Sequence, residues 1–245
     1  MIRQPIIQVR NLTVRYGDIT ILENVSFDIF RGEIFLIVGG SGCGKSTLLR
    51  QLIGLENPTE GSVIIDGSDF TLAKGNERQE ILKKFGILFQ SSGLFASMTL
   101  AENIALPLET YTKLNPDKIN EVIDLKLNSV GLGGYGNYLP GEISGGMKKR
   151  AALARAMALD PQILCFDEPS SGLDPVTADS LDNLILDLNH VLNTTMVVVS
   201  HDLASTLKIA DRIIMLDKTR KGIIAEGTPA ELQNLKDNPA VFNFF

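Results

Sequence analysis

A glycine-rich segment close to the N-terminus constrains the fold of this chain more than any other part of the sequence. Residues 39–47 are Gly-Gly-Ser-Gly-Cys-Gly-Lys-Ser-Thr and match the pattern G-x-x-x-x-G-K-[ST]. They follow the apolar run Ile34–Val38 and precede Leu48–Leu52, which is typical of the start of a helix. A strand, a glycine loop and a helix in this order form a phosphate cradle, whereas a surface turn would leave this context unexplained. The sequence therefore predicts that the chain binds a nucleoside triphosphate.

Both the side chains and the backbone of this loop have predicted roles. Lys45 can reach the β- and γ-phosphates, and Ser46 can ligate Mg²⁺. Backbone N–H groups of the other loop residues would surround the phosphates. These residues are Gly39, Gly40, Ser41, Gly42, Cys43, Gly44 and Thr47.

Two adjacent carboxylates end a second apolar run. Asp167 and Glu168 follow Ile163–Phe166, and ligands of open α/β sheets bind beyond the carboxyl ends of the strands. We expect Asp167 to hold Mg²⁺ through its water shell, and Glu168 to orient and deprotonate an attacking water. Pro169 follows, so an acidic helix N-cap is the alternative. The presence of a phosphate loop favours the catalytic role.

A histidine follows a third apolar run in the same way. His201 comes directly after the strand-like run ending at Val199 and Ser200, so it could hydrogen-bond the γ-phosphate and the attacking water. His190 has no such position, and we expect it to be structural or exposed.

A second anion site is predicted at Ser144-Gly145-Gly146, which precedes a strong helix former. An ordinary capped helix is the alternative. Three basic residues follow at 148–150, and basic residues in a first turn oppose the helix dipole. A bound phosphate explains them better than helix stability does.

Length, charge and cysteine content limit the possible functions. A chain of 245 residues can form one domain with a sizeable core, and its net charge of −6 disfavours nucleic-acid binding. We find neither an apolar stretch long enough to span a bilayer nor a signal-peptide pattern, so we expect neither secretion nor membrane insertion. Cys43 and Cys165 lie in the loop and in an apolar run, which indicates reduced thiols in a cytosolic compartment.

The distribution of apolar runs predicts an α/β fold around a phosphate-loop core. We expect a mostly helical region from Asn76 to about Leu159, and an amphipathic helix at Leu181–Leu192. The runs at 163–166 and 195–199 are expected to be buried parallel strands, and the last two runs a hairpin or edge pair. The β-like runs lie at Ile6–Phe30, Gly61–Gly67, Ile163–Phe166, Thr195–Val199, Ile213–Leu216 and Gly222–Ala225.

The order of these motifs resembles the full motif set of ABC-transporter ATPases over nearly the whole chain. The residues that carry the resemblance are Gly39–Thr47, Gln90, Ile143–Met147, Ile163–Glu168, Ser171–Asp174 and His201. The resemblance implies one ABC ATPase domain over residues 1–245, with an N-terminal antiparallel β-subdomain. Residues 1–89 and 160–245 would form the nucleotide-binding core, and residues 90–159 the inserted helical subdomain.

Ligands, a dimer and further residue roles are also implied by the resemblance. ATP and Mg²⁺ would bind between two copies arranged head to tail, where Ser144, Gly145 and Gly146 of one copy close over the nucleotide of the other. Tyr16 would stack on adenine, although an aromatic residue in a strand and turn is usually a packing residue. Gln90 would sense Mg²⁺ and the partner, and Asp174 would couple the two sites.

Within the family, the chain is most similar to the ATPases of Mla/Mce-type lipid transporters. Ile143 and Met147 replace the commoner Leu and Gln at the ends of the signature, and the methionine and the segment Phe89–Leu108 are similar to that group. This resemblance implies a permease, an MCE-domain substrate-binding protein and a small STAS-domain protein as partners, at the cytoplasmic face of the inner membrane. The segment would receive the permease, which predicts that apolar residues such as Leu94, Phe95, Met98 and Leu100 are exposed unless the chain's own helices bury them.

Other functions remain open alternatives. The ATPase of a polar amino-acid or ion importer would share every catalytic residue. A non-transport ABC ATPase usually has two cassettes in one chain or a long coiled-coil insertion, and a basic surface. A GTPase or small-molecule kinase would lack an explanation for the signature segment, and the sequence has no Asn-Lys-x-Asp motif.

Overall fold

The strand that precedes the phosphate loop lies inside a six-stranded sheet. The structure is a computed structural model and describes residues 4–242 and 244–245. Its strands are β1 Pro5–Tyr16, β2 Ile19–Phe30, β3 Ile34–Gly39, β4 Glu60–Ile65, β5 Ser68–Asp69, β6 Phe85–Leu88, β7 Ile163–Asp167, β8 Thr195–Val199, β9 Arg212–Asp217 and β10 Gly222–Gly227. Its helices are α1 Lys45–Leu52, α2 Gly75–Leu82, α3 Leu100–Tyr111, α4 Pro116–Ser129, α5 Gly145–Ala156, α6 Pro175–Leu192, α7 Leu203–Ile209, α8 Pro229–Gln233 and α9 Pro239–Phe242, with a 3-10 turn at Pro140–Glu142.

The six-stranded sheet has the order β10-β9-β3-β8-β7-β6, in which β6, β7, β8, β3 and β9 are parallel. The two runs predicted to be buried parallel strands are β7 and β8, and they pair directly, so this prediction is confirmed. The predicted terminal hairpin is the antiparallel pair β9 and β10. All side chains of β3 and β8 are buried, as in strands covered on both faces.

The two faces of β3 belong to two different cores. Ile34, Leu36 and Val38 pack with helices such as α3, α5 and α6. Phe35 and Ile37 face the second sheet, where the Phe35 ring stacks on Phe27 with centroids 5.5 Å apart. Successive side chains of a strand point to opposite faces, so an uninterrupted apolar run can hold both layers. This explains why the strand before the phosphate loop is apolar throughout.

The second sheet is antiparallel, with the order β2-β1-β4-β5. Between residues 6 and 30 the sequence predicted short β-like runs, but β1 and β2 are each 12 residues long. Asn11 and Asn24 adopt left-handed backbone conformations, and the β1–β2 register shifts near these residues. Such bulges break the regular alternation of apolar and polar residues, which made two long strands resemble several short ones.

A strand within the predicted helical region was missed. Phe85–Leu88 forms β6 and pairs in parallel with β7. A Cβ at Gly86 would lie 2.1 Å from the carbonyl oxygen of Ala156, so glycine is needed where α5 packs on this strand. Only four residues long and containing a glycine, β6 carries no recognisable alternation.

Three longer helices, α3, α4 and α5, lie between β6 and β7 in the chain. Thr99 and Glu102 form a capping box at the start of α3, and Asn115 caps α4. Helix α6 begins at Pro175, earlier than predicted, because Asp174 caps it and proline occupies its first position. No helix in the described residues is long and apolar enough to cross a membrane.

The four apolar residues expected to be exposed differ in their surroundings. Leu100 is fully buried as the first residue of α3, so its predicted exposure is wrong and the alternative of burial applies. Leu94 is half-buried against the helical core, and Met98 is also half-buried. Phe95 remains exposed, at 50%. Leu100 is buried because it belongs to the helical core together with Ile104, one turn further along α3.

Candidate nucleotide-binding site

The predicted phosphate loop connects β3 to α1. Gly39, at the end of β3, has φ of 143°, a conformation that favours glycine, and a Cβ there would lie 2.3 Å from the carbonyl oxygen of Leu216. The buried Lys45 side chain curls back over the loop and donates to the carbonyl oxygens of Gly39 at 2.8 Å and Gly40 at 3.1 Å. The loop residues and their side chains thus enclose a concave surface at the N-terminus of α1.

A cavity of about 730 Å³ lies over this loop. Glu168 and His201, which follow β7 and β8, line it together with Ile21. Its volume is within the range of small-molecule sites in proteins. The remaining lining residues are Gly39, Gly40, Ser41, Gly42, Gly44, Lys45, Ser46 and Thr47. The structure therefore brings most of the predicted loop residues together with two of the predicted catalytic residues, while Cys43 is buried beneath the loop.

Ser46 and Asp167 approach each other from α1 and β7. The Ser46 hydroxyl donates to Asp167 Oδ1 at 3.4 Å. Burial raises the pKa of Asp167, the neighbouring Glu168 raises it further, and the hydrogen bond from Ser46 acts in the opposite direction. A bound divalent cation would reverse this rise, because it favours the ionised carboxylate. A hydroxyl and a carboxylate are oxygen ligands of the kind Mg²⁺ prefers, so these residues fit the predicted metal site.

Glu168 lies at the centre of a hydrogen-bonded cluster. Gln90 Nε2 donates to its Oε2 at 3.0 Å, and His201 Nδ1 lies 3.1 Å from its Oε1. Gln90 also donates to the Ser171 hydroxyl at 3.3 Å. The backbone of Glu168 has φ of 48°, a sparsely populated conformation for a residue with a side chain, and its N–H donates to the carbonyl oxygen of Val199. Strained backbone of this kind persists where the surrounding structure holds it, often at functional sites.

Tyr16 does not line the cavity. It is the last residue of β1, half exposed, and its hydroxyl donates to Glu56. This hydrogen bond is the main reason why the pKa of Tyr16 is raised, whereas a weaker hydrogen bond with Thr47 lowers it. Glu56 also accepts a hydrogen bond from Gln51 of α1, so the phenol lies near the helix that follows the phosphate loop. The ring is therefore close to the site, but held by a partner that the sequence did not suggest.

The signature residues lie away from the cavity of their own chain. Ser144 caps α5 by accepting a hydrogen bond from the N–H of Met147, and Ser144 and Gly145 are exposed. Gly146 is buried, and a Cβ there would lie 2.5 Å from Cγ2 of Thr177 in α6. None of Ser144, Gly145 and Gly146 is among the residues that line the cavity over the phosphate loop. Close packing on α6 is therefore a sufficient reason for glycine at 146.

Asp174 lies near this packing contact and caps α6. Its carboxylate accepts hydrogen bonds from the backbone N–H groups of Val176 and Thr177 and from the Thr177 hydroxyl. The Thr177 hydroxyl is the main cause of its lowered pKa. Thr177 thus touches both Gly146 and Asp174, so the first turn of α5 and the start of α6 are in contact within one chain.

Two of the three basic residues after the signature have partners inside the chain. Lys149 donates to the carbonyl oxygens of Gln90 and Glu168, and Arg150 to the carbonyl oxygen of Val130 and to the Ser180 hydroxyl. For Lys149 and Arg150 the prediction of a bound phosphate is wrong, because carbonyl oxygens and the Ser180 hydroxyl accept their hydrogen bonds. No separate signal in the sequence indicated this role for Lys149, because it lies between two other basic residues of the same helix.

Comparison with known proteins supports one assignment. Residues 22–171 match the family described as ABC transporter. The chain is 44% identical over 238 residues to the "Probable ribonucleotide transport ATP-binding protein mkl" of Mycobacterium leprae, covering 97% of this chain and 68% of that protein. It is 40% identical over 239 residues to the "Intermembrane phospholipid transport system ATP-binding protein MlaF" of Escherichia coli K12, covering 98% and 88%.

A solved structure shares the fold and about a third of the aligned sequence. The dimeric post-hydrolysis state of the ATP-binding cassette MJ0796, bound to ADP and Pi, superposes with a TM-score of 0.80 at 32% identity, over 91% of this chain and 98% of that one. The predicted fold class is confirmed by this similarity. From the phosphate loop, the family match and the shared fold, the chain belongs to the ABC transporter family, as an ATPase subunit.

Proposed function

We propose that the chain powers a phospholipid transporter of the Mla/Mce type, bound to the cytoplasmic face of the inner membrane. The observation that carries this proposal is the 40% identity to MlaF, which extends over nearly the full length of both proteins. Met147 and the segment 89–108 resemble the same group of ATPases, which agrees with this identity. The mycobacterial relative is named for probable ribonucleotide transport and matches over only 68% of its length.

The proposed working unit is a head-to-tail pair of chains. The cavity over the phosphate loop lacks the chain's own signature residues, so the exposed Ser144 and Gly145 are free to close over the nucleotide of a second copy. Helix α5 begins at this point, and its N-terminal N–H groups favour an anion. Each chain has one phosphate loop and one signature, so a closed pair would bind ATP at two sites, each between the loop of one copy and the signature of the other.

Hydrolysis in this pair would depend on positioning and electrostatics. Lys45 would bind the β- and γ-phosphates, while Ser46 and Asp167 would hold Mg²⁺. When bound, Mg²⁺ neutralises charge that develops on the phosphates. Glu168 would accept a proton from the attacking water, with its carboxylate oriented by Gln90 and His201. Tyr16 would support the adenine ring, and Asp174 would report the state of one site to the other.

An apolar groove of about 560 Å³ is the proposed contact for the permease. It runs between β6 and α3 and includes the exposed rings of Phe95 and Tyr111. Arg155 lines the same groove and donates to the carbonyl oxygens of Gly93 and Ser92. The segment from Gln90 to Phe95 therefore links the catalytic cluster directly to this surface. Movement of a docked permease helix would therefore displace Gln90 through this short segment.

Replacing Phe95 with aspartate is expected to separate assembly from catalysis. The side chain is exposed in the groove, so the variant should keep its thermal midpoint and turnover within about twofold, as surface substitutions usually do. Recovery of the permease with the tagged ATPase should fall at least about tenfold, because a charge would be buried in an apolar contact. The matched control is Leu125→Asp on α4, which is 61% exposed outside the groove. Loss of folding in Phe95→Asp would contradict the proposed surface role.

Mass spectrometry of proteins and lipids that co-purify with the tagged chain from its own membranes tests the transport class. We expect a multi-span permease, an MCE-domain protein, a small STAS-domain protein and bound phospholipid. A permease with a soluble solute-binding protein and without lipid would indicate a polar amino-acid or ion importer instead. Recovery without any membrane protein would favour a non-transport ABC ATPase.

A further inference from the structure

Lys149 is a buried cation within the first turns of α5. Its side chain is 5% exposed, and its Nζ donates to the carbonyl oxygen of Gln90 at 2.5 Å and reaches that of Glu168 at 3.5 Å. Burial lowers the pKa of Lys149, whereas the nearby carboxylates of Asp167 and Glu168 raise it. A buried ammonium group destabilises a fold unless it is paired, so its partners matter to the structure.

The two carbonyl oxygens belong to residues whose side chains meet. Gln90 Nε2 donates to the Glu168 carboxylate at 3.0 Å, so Lys149 holds both backbones from which this pair extends. Glu168 is also the residue with the left-handed backbone conformation, and its N–H is bonded to Val199. Its peptide groups are therefore held on one side by β8 and on the other by Lys149. This arrangement keeps a strained residue in a single orientation.

Helix α5 connects this ammonium group to the signature. Gly145 and Lys149 are four residues apart, which is about one turn or 6 Å along a helix. The same helix holds the next part of the Gln90 segment through Arg155, which donates to the carbonyl oxygens of Ser92 and Gly93. A shift of α5 would therefore move Lys149 relative to the ends of β6 and β7. This shift would displace Gln90 and Glu168, because Lys149 is hydrogen-bonded to their carbonyl oxygens.

We propose that Lys149 is a positioning residue that ties the signature helix to the Gln90–Glu168 pair of the same chain. This inference rests on the proposed ATPase mechanism, in which the signature contacts the nucleotide of the second copy. Engagement of α5 with that nucleotide sets the position of the Lys149 ammonium group, which in turn sets the hydrolytic geometry at the chain's own phosphate loop. ATP binding at one site of the pair thus prepares hydrolysis at the other.

Lys149→Met, which keeps an unbranched side chain of similar length and removes its charge, tests this role in the purified full-length chain. The expected result is a fall in kcat of about 10- to 100-fold, since a displaced catalytic group loses rate steeply. KM for ATP should stay within about twofold, because Lys149 does not line the nucleotide cavity. Lys149→Arg should recover part of kcat, because a guanidinium can also donate to both carbonyl oxygens. ATP-dependent pairing of chains should be retained when Lys149→Met is combined with Glu168→Gln.

Lys126→Met is the matched control for loss of a buried lysine. Lys126 is 6% exposed on α4, and its ammonium group pairs with Asp160 instead of the catalytic cluster. Lys126→Met should lower the thermal midpoint and leave kcat close to that of the wild type. A Lys149→Met enzyme with wild-type kcat would overturn this inference and leave the proposed ATPase function intact. So would a Lys149→Met variant that loses ATP binding and stability together and is not rescued by arginine. A wild-type chain without ATPase activity would overturn the proposed function as well.

Discussion

Glu168→Gln is expected to bind ATP normally, hydrolyse it at least about 100-fold more slowly, and accumulate as an ATP-bound pair of chains. A general base contributes about 10²- to 10⁴-fold to rate, and an amide cannot accept the proton from water. The substitution preserves the size of the side chain and leaves an oxygen that can accept a hydrogen bond from Gln90. The nucleotide should therefore remain trapped between the phosphate loop of one copy and the signature of the other.

Two measurements check this expectation. Steady-state turnover gives the loss of kcat, and size-exclusion chromatography with light scattering gives the mass with and without ATP. Asp179→Asn is a suitable control, because it also converts a carboxylate into an amide but at an exposed residue paired with Lys208. If Glu168→Gln stayed monomeric with saturating ATP, the head-to-tail model and the proposed role of Glu168 would both fail.

Lys45→Ala is expected to remove ATP hydrolysis and to weaken ATP binding by about 10- to 100-fold. Hydrogen bonds to charged groups contribute about 1.5–3 kcal/mol, which corresponds to that range of affinity. Lys45 is held over the loop by the carbonyl oxygens of Gly39 and Gly40, so its ammonium group is already oriented before phosphate binds. Loss of this group would remove both the phosphate contact and a bond that shapes the loop.

Calorimetric titration with ATP and a coupled turnover assay check the Lys45 prediction. Lys84→Ala provides the control, because Lys84 pairs with Asp66 and does not line the phosphate-loop cavity. Its turnover should match that of the wild type, and both variants should keep the wild-type secondary structure. Unchanged hydrolysis in Lys45→Ala would contradict the assignment of residues 39–47 as the phosphate loop.

Short-range patterns in the chain were enough to predict the phosphate loop, the strand before it and the helix after it. Gly39 to Thr47 are contiguous, and their conformation follows from glycine freedom and from the helix that starts at Lys45. The buried strands β7 and β8 were recognisable for the same reason, because a run of apolar residues needs cover on both faces. Family resemblance added Gln90, Tyr16 and Asp174, whose local sequence is unremarkable.

Contacts between distant segments could not be predicted from such short-range sequence patterns. Gln90, Glu168 and His201 meet because β6, β7 and β8 are neighbours in the sheet, and this order arises from how whole strands are buried. The bonds from Lys149 to two carbonyl oxygens, the packing of Gly146 on Thr177 and the hydrogen bond from Tyr16 to Glu56 likewise join residues from separate elements. Local backbone preferences act over a few residues and leave a signature in the sequence. Packing of sheets and helices acts between residues far apart in the chain, so its partners emerge only when the fold is complete.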